Sequence, residues 1–291
     1  MKNLKWKIFW FYLITIIFSW TSFFITDAWL IPKYANTNFS KLIALYGHML
    51  AMMGPMFASI IMLKYFQNNN LLTISWSNKK YYLYTIYVIL IIWIIPGLML
   101  LLFDGNITAK IIYDNYDIIF IVSYILFGWF AGVGEEYGWS GYILTELSGK
   151  FVKSKAVVVS GILRGLWHLP LLLIPVILKV SAGEKSFLEL FLLTPVFAIQ
   201  LIVSNIFFSA LFGFVWYKTN SIPLIGWMHF LFDLGRDFTI LFVVGFSSNF
   251  WFKYGWSIPF IFLAYLAFNK IAKEDGYLNI LEIFYRKSYS K

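Results

Sequence analysis

The sequence predicts an all-α, polytopic membrane protein of about eight transmembrane helices. Of its 291 residues, 60% are hydrophobic, 22% are aromatic and only 13% are charged, and the mean hydropathy is +0.75. A water-soluble domain needs more polar residues than this to cover its surface. The charged residues also gather at the ends of long apolar runs, as they do where helices leave a bilayer. These observations exclude a soluble enzyme.

Charges, prolines and polar clusters divide the chain into runs of about 20 apolar residues, the length that crosses about 30 Å of hydrocarbon. The first run follows a basic start like that of a signal peptide, but no small-residue cleavage site follows it, so we expect a retained helix. The fourth and sixth runs exceed about 25 residues and must tilt or bend. The predicted spans lie near residues 7–26, 42–64, 81–103, 118–147, 155–179, 188–217, 222–245 and 251–270.

The sequence shows no internal repeat and no linker, which predicts a single membrane domain over residues 1–291. Residues 271–291 alternate charged and apolar side chains, a pattern typical of a short interfacial helix. A transporter or proton channel is a third functional alternative, but transporters are expected to show internal repeats with broken helices in corresponding halves.

The distribution of basic residues predicts the orientation of the chain. With a cytoplasmic N-terminus, fifteen of the 23 Lys and Arg residues lie in segments on that side and six on the other, the remaining two being Arg164 and Arg236. Cytoplasmic segments carry such an excess of basic residues. We therefore expect both termini in the cytoplasm. Because the lysines lie at helix ends rather than along one face, the formal charge of +9 does not indicate nucleic-acid binding.

Ionisable residues within the apolar runs are the candidates for chemistry, because each costs at least about 2.5 kcal/mol in mid-membrane. The chain has no cysteine, so thiolate catalysis and cysteine metal sites are excluded. Glu135 and Glu136 lie in the fourth run among several glycines. Adjacent helical residues point about 100° apart, so we expect one carboxylate to face the reaction centre and the other a supporting partner. A carboxylate pair lining an ion or proton path is the alternative.

Two further segments carry a histidine with a second ionisable residue one turn away. Arg164 and His168 share one face of the fifth run, and His229 and Asp233 share one face of the seventh. A buried arginine needs a carboxylate, so we predict an ion pair between Arg164 and Glu136, with substrate binding by Arg164 as the alternative. We expect structural roles for the other ionisable residues: Arg236 and Asp237 form an ion pair, and His48 has no acidic neighbour in the sequence.

Helical rise places Glu135 about 18 Å, His168 about 20 Å and His229 about 11 Å from the inner ends of their runs. We therefore expect them to meet in one water-filled cavity in the cytoplasmic half of the bilayer. A carboxylate and an imidazole around a water form a general base for attack on an amide, while a second imidazole can stabilise the oxyanion. Zinc also accepts two histidines and a carboxylate, although the HExxH spacing is absent. The residue pattern leaves both possibilities open, and a metal such as zinc would be held by Glu135, His168 and His229.

These segments resemble the CAAX protease and bacteriocin-processing family, also called the Abi family, of intramembrane endopeptidases. The family motifs are Glu-Glu-x-x-x-Arg, Phe-x-x-x-His, and His-x-x-x-Asn or a similar polar residue, on three successive core helices. The resemblance covers about residues 125–245. The matching positions are Glu135, Glu136, His168, His229 and Asp233. It implies that Glu135 with His168 activates the water and that His229 with Asp233 lines the oxyanion site.

The sequence departs from the family pattern at three positions. Ser140 replaces the arginine, Arg164 replaces the phenylalanine, and Asp233 stands where asparagine is common. An ionised Asp233 would repel an oxyanion, so it must be protonated, face Arg236 or act as a ligand.

The resemblance implies an intramembrane endopeptidase that hydrolyses membrane-associated peptides or protein tails. The alternative within the family is a non-catalytic membrane scaffold or bacteriocin-immunity protein. The abundance of Ile, Lys, Asn and Phe is typical of an AT-biased bacterial genome. It favours the bacterial cytoplasmic membrane as the location, with leader, signalling or bacteriocin peptides as substrates rather than prenylated tails.

Overall fold

The structure is a computed structural model that describes residues 3–35, 39–67, 71–72, 74–104, 118–183, 186–242 and 255–277. Within these ranges the chain is helical and contains no β-strand. The predicted all-α class is therefore confirmed. The predicted interfacial helix at 271–291 lies outside the described residues from position 278 onwards.

The helices follow the apolar runs in order, because a helix satisfies every backbone polar group within its own segment. Short π-helical stretches interrupt the regular helices at Ile25–Leu30, Met62–Phe66 and Tyr137–Leu144. The α-helices are α1 Leu4–Phe24, α2 Ile31–Lys33, α3 Phe39–Met52, α4 Gly54–Ile61, α5 Lys79–Asp104, α6 Ile118–Glu136, α7 Thr145–Ser148, α8 Lys153–Trp167, α9 Leu169–Ser181, α10 Phe187–Thr219, α11 Ile222–Phe242 and α12 Ser257–Glu274.

Five helical segments in the described part of the chain are long and apolar enough to cross a membrane by length and composition. These candidate spans are Leu4–Lys33, Ser40–Phe66, Ile119–Ser148, Lys153–Ser181 and Thr194–Thr219. Large apolar side chains such as Leu83, Val196 and Ile199 are exposed on the outer surface of the bundle, where lipid would cover them. The protein is thus an integral membrane protein. The count of about eight spans stays a prediction.

Basic residues from distant parts of the chain meet at one end of the bundle, which we call the basic end. Lys7 Nζ, at the start of α1, lies 2.8 Å from a carboxylate oxygen of Glu146 in α7. Lys153 and Lys218 contact Glu274 at the end of α12, at 3.3 and 2.5 Å. The helix termini that the lysine pattern places on one side of the membrane are therefore together in space.

Glycines bring the core helices into backbone contact and so position the site. A Cβ atom on Gly132 of α6 would lie 2.7 Å from the carbonyl oxygen of Gly226 in α11. A Cβ atom on Gly165 of α8 would lie 2.6 Å from the Cα atom of Ile202 in α10. Such close approach excludes lipid from the helix interfaces. Glycines thus set the close packing of α6 on α11 and of α8 on α10, the helices on which the predicted site residues lie or pack.

Candidate active site

Glu135 and Glu136 end α6 and are both buried, but they face different surroundings. Glu135 lines a cavity of about 220 Å³, whereas Glu136 is absent from the residues that line it in the described part of the chain. Glu136 contacts Arg164, His229 and Ser140 instead. As expected, the two carboxylates point to different surroundings: Glu135 faces the cavity and Glu136 faces its polar partners.

The helix changes its hydrogen-bonding pattern immediately after the glutamate pair. The eight residues from Tyr137 to Leu144 form a π-helix, all of them buried. Such wider turns occur frequently at functional sites in α-helical proteins. Within this segment the Ser140 hydroxyl, four residues after Glu136, donates to its Oε2 atom at 2.5 Å. Ser140 therefore contacts the same glutamate that the family arginine would be placed to reach.

The predicted ion pair between Arg164 and Glu136 is present. The Nη2 atom of Arg164 lies 2.6 Å from the Oε1 atom of Glu136, and its Nε atom lies 3.7 Å from the Oε1 atom of Glu135. The guanidinium is buried between the rings of Phe208 and Trp139, at 4.9 and 5.8 Å from their centroids. A planar guanidinium is suited to both contacts, because it binds carboxylates and stacks on aromatic faces.

His168 lies at a break between two helices. It ends α8 and precedes the Leu169-Pro170 start of α9, where the proline has no N–H to continue the α8 hydrogen bonds. Its Nδ1 atom donates to the carbonyl oxygen of Arg164 at 2.8 Å, since a carbonyl can only accept. In the neutral ring Nε2 is then the acceptor. His168 lines the same cavity as Glu135.

His229 lies between three carboxylates. Its Nδ1 atom donates to Oε1 of Glu136 at 2.8 Å, and its Nε2 atom lies 3.8 Å from Oε2 of Glu135 and 3.5 Å from Oδ2 of Asp233. Phe208 and Phe212 cover the ring, with centroids 5.1 and 5.8 Å away. His229 therefore connects the Glu136–Arg164 pair with the cavity.

Asp233 contacts Arg236. This is one of the three arrangements expected for Asp233, the others being protonation and a role as a ligand. The Nη1 atom of Arg236 lies 2.9 Å from Oδ1 of Asp233, and its Nε atom lies 2.6 Å from Oδ1 of Asp237. The predicted ion pair between Arg236 and Asp237 is thus present. Positive charge from Arg236 offsets the carboxylate that would otherwise repel an oxyanion.

One group of side chains has donor atoms close enough to hold a metal ion. In the part of the chain that the structure describes, the group whose ligand atoms lie within 4.8 Å of one another is Glu135, Glu136 and His229. This group contains Glu136 in place of His168, so the set of Glu135, His168 and His229 stays a prediction. The group fits a divalent cation poorly, since Glu136 Oε1 already accepts from Arg164 and His229 and a cation there would face the guanidinium.

Glu135, His168, His229 and Asp233 line one cavity. The cavity extends from Glu135 to Tyr124, toward the end of α6 that lies away from the basic end. Its predicted place in the cytoplasmic half of the bilayer stays a prediction. Helical rise gives the depth of a residue along its helix, but it does not predict where the neighbouring helices leave a cavity. The cavity is further lined by Phe23, Leu45, His48, Met49, Met52, Gly128, Ala131, Trp167, Leu171, Phe230, Arg236 and Asp237.

His48 contributes to this cavity, which sequence reasoning missed. Its Nε2 atom lies 2.8 Å from Oδ1 of Asp27, which belongs to the π-helical continuation of α1. The predicted first span ends at residue 26, one residue before Asp27. His48 and Asp27 are ionisable residues in or next to apolar runs. Because an ionisable side chain in the membrane is costly, this cost was the signal that could have singled out the pair.

These features define a class of protein, a helical membrane protein with a buried glutamate, histidine and arginine cluster beside a polar cavity. More particularly, residues 117–235 match the family model described as type II CAAX prenyl endopeptidase, Rce1-like. The resemblance to the CAAX protease family is therefore confirmed over a part of the chain that contains the five matching motif positions and Arg164. No curated protein matches the chain significantly.

Proposed function

We propose that the protein is an intramembrane endopeptidase in which Glu135 and His168 activate a water molecule for attack on a peptide bond. One observation carries the proposal. The carboxylate of Glu135 is buried, borders the cavity beside His168 and His229, and accepts no hydrogen bond at its Oε1 atom from the described residues. A buried carboxylate without donors is costly, and a water in the cavity would donate to the oxygen that faces it.

The proposed reaction begins with this water beside Glu135. The carboxylate and the Nε2 atom of His168 draw its proton as the water oxygen bonds to the carbonyl carbon of the substrate. The carbonyl oxygen becomes an oxyanion, which His229 stabilises by donating from Nε2 in its doubly protonated form. The proton taken from the water then passes to the leaving nitrogen as the C–N bond breaks. The products are a carboxylate and an amine.

Glu136, Arg164 and Ser140 would act by positioning rather than by contact with the substrate. Glu136 holds the Nδ1 atom of His229 and is itself held by the guanidinium and the hydroxyl. Groups fixed in this way need little reorganisation during the reaction. Asp233, with its charge offset by Arg236, would orient the Nε2 side of His229.

The surroundings of the cavity and the family model support a substrate class. Glu135 is buried among the helices and borders a cavity inside the bundle, which favours membrane-associated peptides or the tails of membrane proteins. The matching family model describes prenyl endopeptidases. The excess of basic residues supports an orientation in which both termini are cytoplasmic.

A non-catalytic scaffold or immunity protein is the second candidate. The observation in its favour is Arg164, whose Nε atom lies 3.7 Å from Glu135. A guanidinium so close can pair with the carboxylate and compete with the water that a general base must hold.

Variants of the cavity carboxylate separate the two candidates. In proteoliposomes with a library of membrane-anchored peptides, Glu135→Gln and His168→Ala should each lower kcat about a hundredfold to ten-thousandfold, because both remove the base. Glu146→Gln is the matched control, since Glu146 contacts Lys7 at the basic end and should leave turnover unchanged. The combined variant should be little slower than either single one, as for residues that act as a unit.

The same assay tests metal dependence and the alternative function. A chelator such as EDTA should leave the wild-type rate unchanged. Full activity of Glu135→Gln would refute the proposed base, and a wild type that cleaves nothing while Glu135→Gln retains its cellular role would favour the scaffold.

A further inference from the structure

The cavity beside Glu135 becomes steadily more exposed along α11. The side-chain exposure rises from 7% at His229 to 18% at Asp233 and 44% at Arg236. Arg236 lies seven residues beyond His229, or about 10 Å along the helix. The cavity is therefore closed at Glu135 and opens toward the C-terminal end of α11.

A second wall of the cavity extends in the same direction. On α3 the lining residues are Met52, Met49, His48 and Leu45; the side chain of His48 is 41% exposed, and Leu45 is buried. On α6 the lining runs from Glu135 back to Tyr124, eleven residues or about 16 Å away. Tyr124 donates to Oδ2 of Asp237 at 2.8 Å, so α6 and α11 are joined by a polar contact at this level.

This opening lies at the end of the bundle opposite the basic end. Helix α11 begins at Ile222, three residues after the end of α10, where Lys218 contacts Glu274. Arg236 is fourteen residues further along α11, or about 21 Å from that end. Helix α6 leads in the opposite sense into the segment that contains Glu146, the partner of Lys7. Both helices thus place the basic residues and the opening at opposite ends.

We infer that the cavity receives its substrate from the extracytoplasmic side of the membrane, as an extended peptide segment exposed there. The excess of basic residues places the basic end in the cytoplasm, which leaves the opening on the other side. The mouth carries polar groups that hydrate well, namely His48, Asp233, Arg236 and Asp237. A peptide backbone and its water can follow this polar wall to Glu135. The inference rests on the proposed function for the identity of the substrate, but the side of the opening can be measured without any activity.

The chain has no cysteine, so single thiols can be introduced without altering a native one. The experiment uses intact cells that produce the full chain with His48→Cys at the mouth, Met52→Cys one turn deeper, or Lys150→Cys at the basic end. A membrane-impermeant maleimide is added before or after permeabilisation of the cells. Ile125→Cys is the matched control on α6, because its neighbour Tyr124 lines the cavity while Ile125 does not and its side chain is 50% exposed on the outer surface.

The expected result is labelling of His48→Cys in intact cells, several-fold slower labelling of Met52→Cys, and labelling of Lys150→Cys only after permeabilisation. Ile125→Cys should stay unlabelled, because a thiol in lipid does not form the reactive thiolate. Labelling of His48→Cys only after permeabilisation, or in neither condition, would overturn the inference. A catalytically silent protein with the expected labelling would instead overturn the proposed function and leave the side of the opening established.

Discussion

At the scale of single residues, Arg164 and Ser140 explain how the chain departs from the family pattern and still satisfies its buried carboxylates. The family motif supplies an arginine four residues after the second glutamate. Here the cation comes from α8 instead, 2.6 Å from Glu136, and the serine hydroxyl contacts the other oxygen of that carboxylate. The pair was predictable from the sequence, because a buried guanidinium needs a carboxylate and helical rise placed Arg164 and Glu136 at similar depth.

The ion pair should be essential for stability. Arg164→Leu leaves Glu136 without its guanidinium, and losing one partner of a buried pair costs about 3–5 kcal/mol. The measurement is the free energy of unfolding in a detergent titration. Adding Glu136→Gln should recover part of the loss, with a coupling energy of at least about 1 kcal/mol.

A surface pair provides the control for this cycle. Lys153 and Glu274 lie 3.3 Å apart with both side chains exposed, so Lys153→Leu and Glu274→Gln should couple by less than about 1 kcal/mol. An Arg164→Leu protein as stable as the wild type would contradict a structural role for the pair and favour substrate binding.

His229 and His168 show what the sequence could not provide at this scale. Their spacing to Asp233 and Arg164 predicted a shared helix face, but it did not predict which ring nitrogen each partner would hold. That choice depends on Glu136 reaching His229 from another helix and on a backbone carbonyl freed at the break before Leu169. Contacts between distant segments and local breaks in hydrogen bonding leave little trace in side-chain periodicity.

At the scale of the helices, two irregularities define the site. The π-helix begins at Tyr137, directly after the glutamate pair, and α8 ends at Trp167, directly before His168. The sequence carries a signal for the second break, because Pro170 cannot donate a backbone hydrogen bond. The π-helix had no comparable signal, because its glycines are equally consistent with close helix packing.

Close packing of α8 on α10 should hold Arg164 in place. Gly165→Ala would put a Cβ atom 2.6 Å from the Cα atom of Ile202, a backbone atom that cannot turn aside. We expect a loss of about 1–3 kcal/mol in unfolding free energy, as for other overpacked sites, together with reduced peptide cleavage. The measurement is thermal unfolding of the purified protein in detergent.

Gly149→Ala is the matched control, because its Cβ atom would meet the nearest neighbour at an ordinary 3.5 Å, and Gly149 has an α-helical backbone conformation. Equal melting temperatures for Gly165→Ala and the wild type would show that α8 and α10 can separate at little cost, contrary to this account.

At the scale of the whole molecule, composition predicted the membrane environment and the all-α class, and the lysine pattern predicted which helix ends meet. The contacts of Lys7 with Glu146 and of Lys218 with Glu274 confirm that these ends are close. The cavity could not be placed in the same way. Its walls come from α1, α3, α6, α8, α9 and α11, and the space between helices depends on their mutual tilt, which a one-dimensional depth estimate does not contain.

The central claim is that Glu135 activates a water molecule that hydrolyses a peptide bond, and isotope incorporation tests it most directly. The purified protein is incubated in water enriched in ¹⁸O with the library of membrane-anchored peptides, and the fragments are weighed by mass spectrometry. Because the water oxygen bonds to the carbonyl carbon, each new C-terminal carboxylate should carry one ¹⁸O atom, and Glu135→Gln should form such fragments at least about a hundredfold more slowly. Fragments that form at the same rate with Glu135→Gln, or that carry no ¹⁸O, would contradict the account.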